Sequence, residues 1–203
     1  AELDPGDPVK PSPGFFRLAT MASAWMIWPC GKHSVDGRGW LQMAETSPQD
    51  LTDLSNYLYG AVFDDAMWAK AGEVVRRATN SQHVALGFFD YQTRQQSMLH
   101  GDCEPEFEHS YRDLVDINPL ARPMQAMALG TALVDQQVVA HGDFERSAFF
   151  DLWMRPQQMH SAMMHKTSTR DRINGYLALN RGGKGGKYDR RELQVIDEIS
   201  STL

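Results

Sequence analysis

Cysteine is nearly absent from this 203-residue chain: Cys30 and Cys103 stand far apart and neither belongs to a CxxC pair. That argues against a disulfide framework and against a paired-thiol zinc or redox motif, and it fits a reducing cytoplasm. Basic charge is short as well, with 20 Lys and Arg against 26 Asp and Glu and a formal net charge of -6. Direct nucleic-acid binding is not expected, because a phosphate backbone is held by Lys and Arg clustered on one face. Long apolar runs are missing too. Residues 19–30 (ATMASAWMIWPC) follow a lone Arg17 and are too few to cross a bilayer, so neither a membrane span nor an export signal is read.

Signatures of chemistry are equally scarce. No HExxH and no GxSxG elbow occurs, and the loop 181–187 (RGGKGGK) is followed by Tyr188, where a phosphate-binding loop needs Ser or Thr. His100, Cys103 and His109 form the one compact group of metal-ligating types, set in an acidic loop with no supporting motif. His160 and His165 lie five apart, an odd offset that puts them on opposite faces of an extended segment. The chain is therefore expected to hold no metal or cofactor and to be no enzyme.

What is present is an ordinary globular composition, 42% hydrophobic and 23% charged, enough for one well-cored domain and a tail. Residues 1–45 stand apart as an irregular N-terminal extension, rich in Pro, Gly and Asp and then carrying Trp25, Trp28 and Trp40. From residue 46 to 203 the pattern becomes regular. Ser47-Pro48 with Asp50 starts a helix whose apolar positions are Leu51, Leu54, Leu58 and Val62, and a second follows over 66–79 through Met67, Trp68, Ala71, Val74, Val75 and Ala78. The runs 83–91 and 95–100 predict two antiparallel strands joined by a turn. A helix over 104–115 is stopped by Ile117-Asn118-Pro119, a strand is predicted over 131–139, and Asp143 caps a helix to about Met154. Strands over 162–167 and 172–180 precede a last helix, opened by Tyr188-Asp189, with Leu193, Val195 or Ile196, Ile199 and Leu203 on its apolar face. The connections are too short for parallel winding, which predicts an α+β sandwich: an antiparallel sheet of about five strands with helices on its faces.

Soft and aromatic side chains crowd together from Phe144 to Met164, and Phe149, Phe150 and Trp153 fall on one helical face. Such a face is either plain core or the lining of a small-molecule cavity. For the cavity the candidate wall is Phe88 or Phe89, Tyr111, Phe149, Trp153, Met159 and Met163, with Gln157 and His160 as polar contacts.

Four phrases carry a resemblance: residues 58–68 (LYGAVFDDAMW), 107–119 (FEHSYRDLVDINP), 146–157 (RSAFFDLWMRPQ) and 188–199 (YDRRELQVIDEI). In these, and in the order of its segments, the region 48–203 resembles the N-terminal sensor of LuxR-family helix-turn-helix transcription regulators. The resemblance implies a GAF/PAS-like fold, a homodimer, a small-molecule ligand of unknown identity and a cytoplasmic location. The DNA-binding helix-turn-helix of such proteins is not expected within these residues. Asn118-Pro119-Leu120 departs from the family's aspartate-proline-tryptophan phrase, and the spaced Trp, Tyr and Asp pattern of acyl-homoserine lactone sensors is missing, so that ligand is not assigned. Two other readings remain open: a ligand-free dimerisation module, and a GAF-like redox enzyme similar to the free methionine sulfoxide reductases, which would want more cysteines.

Overall fold

The computed structural model describes residues 47–200; the extension over 1–45 and the expected helical position of Leu203 lie outside the described residues. The first helix, α1 (Pro48–Gly60), opens on a reciprocal cap: Ser47 Oγ accepts from the Asp50 backbone N–H at 3.1 Å, and Asp50 Oδ2 accepts from the Ser47 N–H at 3.0 Å. Helix α2 (Ala66–Ala78) buries Ala71, Val74, Val75 and Ala78, the three- and four-residue spacing of a single face. Val62, expected on the buried face of α1, is 74% exposed because the helix ends two residues earlier, at Gly60.

Five strands follow: β1 (His83–Asp90), β2 (Gln95–Gly101), β3 (Ala132–Val134), β4 (Met159–Arg170) and β5 (Ile173–Gly182). They form one sheet in the order β2-β1-β5-β4-β3, with every neighbouring pair antiparallel. The remaining helices are α3 (Pro105–Leu114), α4 (Ala121–Ala126), the short α5 (Asp135–Val138) and α6 (His141–Glu145), and α7 (Arg190–Ser200). The result is the α+β, GAF/PAS-like sandwich that the segment order predicts.

Strand parity divides the sheet into two faces. Val84 and Leu86 of β1, Leu177 and Leu179 of β5, Met163 of β4 and Val134 of β3 point one way. They meet Leu54 of α1, the buried face of α2, and Val195, Ile196 and Ile199 of α7 in one continuous core. Its rim is fastened by Arg181, whose side chain is only 3% exposed: its guanidinium donates to Glu192 Oε1 at 2.7 Å and to the Thr79 and Asn80 carbonyls, and lies 4.2 Å over the Tyr188 ring. Pairing and full hydrogen bonding are what make a buried charge tolerable.

Two elements depart from the expected pattern for visible local reasons. The strand read over 131–139 stops at Val134, since Asp135 turns its carboxylate inward to accept from the Ala162 N–H at 3.2 Å and from its neighbour Gln136 N–H at 2.7 Å, which starts α5. The helix read from Asp143 to Met154 is broken at Ser147, whose hydroxyl donates to the Phe144 carbonyl and accepts from the Phe150 N–H. The chain resumes as a π-wound turn, Phe150–Met154, closed by the Arg155 N–H on the Phe150 carbonyl at 2.8 Å. Such five-residue windings concentrate at functional sites.

Candidate ligand-binding site

The opposite face of the sheet is built differently. Ala85 and Phe89 of β1, Tyr176 and Ala178 of β5, and Ala162 and Met164 of β4 project toward α3, α4 and the π-wound turn. Between these layers lies a cavity of about 80 Å³. That is room for a compact ligand or the apolar end of a longer one, well above the roughly 10–15 Å³ that a single water needs.

Five of the sequence-read candidates come together on its wall: Phe89, Tyr111, Phe149, Trp153 and Met159. Tyr111 projects from α3 into their midst, its ring centroid 5.9 Å from Phe89, 6.1 Å from Phe149 and 5.4 Å from Trp153, all edge-to-face. Phe149 stacks on Trp153 at 5.4 Å. Edge-to-face rings are held by quadrupole attraction and fix one another's orientation. The indole is fixed further, since Trp153 Nε1 donates to the Phe107 carbonyl at 2.8 Å and so ties the π-wound turn to α3.

The other four candidates do not line the cavity. Phe88 shares parity with Val84 and Leu86 and points to the helix-covered face, as the residue after it cannot. Met163 is fully buried in the core under α1, α2 and α7. Met159 and Met163 are four apart, so uninterrupted strand parity would put them together; a bulge between Met159 and Ser161 reverses the phase and leaves only Met159 on the cavity side. His160 is the extra residue of that bulge and is exposed, with its ring 5.9 Å from Phe150. Gln157 turns back and donates to the Trp153 carbonyl at 2.9 Å, supporting the wall from outside.

Several wall residues were not found from sequence. Tyr176 donates to Met98 Sδ at 3.2 Å and accepts from Gln96 Nε2 at 2.9 Å, while Asn118, read only as a helix stop, donates to the Tyr111 hydroxyl at 3.2 Å. The signal for Tyr176 and Met98 was strand parity, which becomes usable only once the pairing of β1 with β2 and β5 is known. Burial, then the neighbouring Tyr111, pushes the phenols of Tyr91 and Tyr176 upward, and burial does the same for Tyr111. All three stay protonated. Glu108, one turn before Tyr111 on α3, also lines the cavity, and burial raises its carboxyl.

Two polar groups on this wall are buried without a hydrogen-bond partner. One is Gln96 Oε1; the other is the His83 imidazole, whose Nδ1 is 3.4 Å from Asp102 Oδ1 but out of alignment for a hydrogen bond. Buried polar atoms are almost always satisfied, so such atoms facing a cavity mark where a bound molecule or water would complete them. Among the described residues no three metal-ligating side chains converge. The His100, Cys103 and His109 group is dispersed: His100 packs against Gly72 of α2, whereas Cys103 lines the cavity.

A five-stranded antiparallel sheet with helices over one face and an aromatic cavity between the other face and its helices defines an α+β fold of the GAF/PAS-like kind. The same fold occurs in the ligand-binding domain of VqsR from Pseudomonas aeruginosa, with a TM-score of 0.58 and 11% identity over 77% of this chain and 96% of that one. It occurs also in CepR2 from Burkholderia cenocepacia, an N-acylhomoserine lactone-dependent LuxR-family transcription factor, with a TM-score of 0.50 and 17% identity over 77% of this chain and 91% of that one. At these identities the likeness is one of fold, and it is the fold the sequence phrases imply. No family model and no curated protein matches the chain.

Proposed function

We propose that this domain is the small-molecule-sensing, dimerising regulatory half of a bacterial LuxR-type transcription regulator, cytoplasmic and non-enzymatic, making no nucleic-acid contact itself. The observation that carries this reading is the cavity on the second face of the sheet, walled by Phe89, Tyr111, Phe149, Trp153 and Met159 and bordered by buried polar atoms that lack partners. A ligand there touches the sheet through β1 and β4 and the outer layer through α3 and the π-wound turn. It can therefore bind two arrangements of those layers with different affinity, and that difference is all a switch requires.

A screen of small aromatic and lipid-like metabolites by thermal shift tests the proposal, since a ligand that binds only the folded state raises Tm. A compound that does so is expected to lose affinity about tenfold or more in Trp153→Ala, which removes both the stacked wall and its tie to α3. Unchanged affinity in that variant would remove the cavity from the account. The second reading, a ligand-free interaction module, is favoured by one observation. Tyr59, Val62 and Phe63 are 78%, 74% and 91% exposed beside one another where α1 ends, and such patches mark contact surfaces. A dimerising sensor would use that patch as well, while the aromatic wall around the cavity favours the sensor.

A further inference from the structure

The charge around the cavity is one-sided. Among the described residues its wall carries two carboxylates, Asp102 and Glu108, and no lysine or arginine. Its single imidazole, His83, already sits beside Asp102. A carboxylate or phosphate ligand would be buried there against like charge and without a cation to pair with, the costliest way to desolvate an anion.

The unfilled valences point the other way. Gln96 Oε1 is a buried acceptor with no donor, while its amide N–H₂ donates to Tyr176 and Met98. Glu108 lies one turn from Tyr111 on α3, and both line the cavity with Tyr176 and Tyr91. Carboxylate, amide oxygen and the faces of electron-rich rings are the groups that hold a protonated nitrogen. Resting on the sensing role proposed above, we infer that the ligand is an amphipathic amine, its ammonium between Glu108, Gln96 Oε1 and the tyrosine rings and its apolar body along Trp153 and Met159. Burial raises the Glu108 carboxyl against the opposing pull of His109, and a cation bound beside it would favour its ionised form.

The test uses three probes with one body: 4-phenylbutylamine, 4-phenylbutyramide and 4-phenylbutyrate, titrated by calorimetry near neutral pH against the full chain. The amine is expected to bind about tenfold or more tighter than the amide, as a charge-assisted hydrogen bond outweighs a neutral one, with the carboxylate weakest. Glu108→Gln should remove that preference, weakening the amine about tenfold while leaving the amide within about twofold. Glu106→Gln, which deletes an equal but exposed charge two residues away, should leave both within about twofold. Equal binding of all three probes, or equal loss in both glutamine variants, overturns the amine assignment and leaves the sensing cavity standing. Binding by none of the three also overturns the amine assignment, and the sensing cavity is then judged by the thermal-shift screen and Trp153→Ala alone.

Discussion

On one face of the sheet, aliphatic side chains of α1, α2 and α7 close over Val84, Leu177, Leu179 and Met163, the buried Arg181–Glu192 pair at the rim is held by several hydrogen bonds, and a single imidazole nitrogen, His165 Nδ1, lacks a partner among the described residues. On the other face, rings of Phe, Tyr and Trp meet edge-on around a space of about 80 Å³, and polar atoms are left without partners. The same strands supply both faces, so hydrophobicity does not distinguish them; side-chain shape does. Branched and flexible aliphatics fill volume, whereas planar rings braced against each other hold a wall in place without filling what lies behind it. The first face is close-packed, and the second encloses the space that the proposed ligand would fill.

The largest effect should come from breaking the rim of the packed face. Arg181→Met leaves Glu192 buried without its partner and is expected to cost ~3–5 kcal/mol in chemical denaturation, while any ligand's affinity stays unchanged in protein that remains folded. Enlarging a small residue sharpens the contrast. Ala71→Leu overpacks the helix-covered face, where Ala71 is 2% exposed, and should cost ~1–3 kcal/mol. Ala178→Leu on the cavity side has open space ahead of it and should cost under about 1 kcal/mol while blocking ligand. Equal destabilisation by the two would mean that the faces are packed alike.

The smallest effect is a pH dependence at the end of β1, away from both interiors. Burial opposes ionisation of Asp90, yet the Thr93 N–H, the Arg172 guanidinium at 2.7 Å and the Gln92 N–H hold its carboxyl down to about 2. A folded pKa below the unfolded value of about 3.9 gives stability that is present above that pH and is lost as pH falls toward 2. Asp90→Asn should therefore be less stable than wild type at neutral pH, with the gap closing below about pH 4 as the wild-type carboxylate is protonated. A gap independent of pH would show that the turn needs the side chain's shape and not its charge.

The sequence revealed the order of elements and the α+β class because helix faces and caps are local: the Ser47–Asp50 box and the spacing of Ala71, Val74, Val75 and Ala78 require nothing beyond their own segment. The wall was legible where it lay on helical or turn segments, as for Tyr111, Phe149 and Trp153. It was illegible where it depended on pairing. Phe88 and Phe89 stay alternatives in the sequence because nothing local says which face of β1 is covered by α2. Met163 groups with Met159 in the sequence because a one-residue bulge leaves no mark in composition. Asp135 and Ser147 ended elements through hydrogen bonds of their side chains, which outweigh a favourable hydrophobic pattern.

The central claim is that ligand enters between the sheet and the α3 layer, and positions of opposite parity on the paired strands β5 and β1 test it most directly. A compound that raises the wild-type Tm should be titrated by calorimetry into Ala178→Leu, on the cavity face, and Phe88→Leu, on the helix-covered face. The account predicts that Ala178→Leu weakens binding about tenfold or more and that Phe88→Leu leaves Kd within about twofold. Loss of binding in Phe88→Leu with Ala178→Leu unaffected would contradict it.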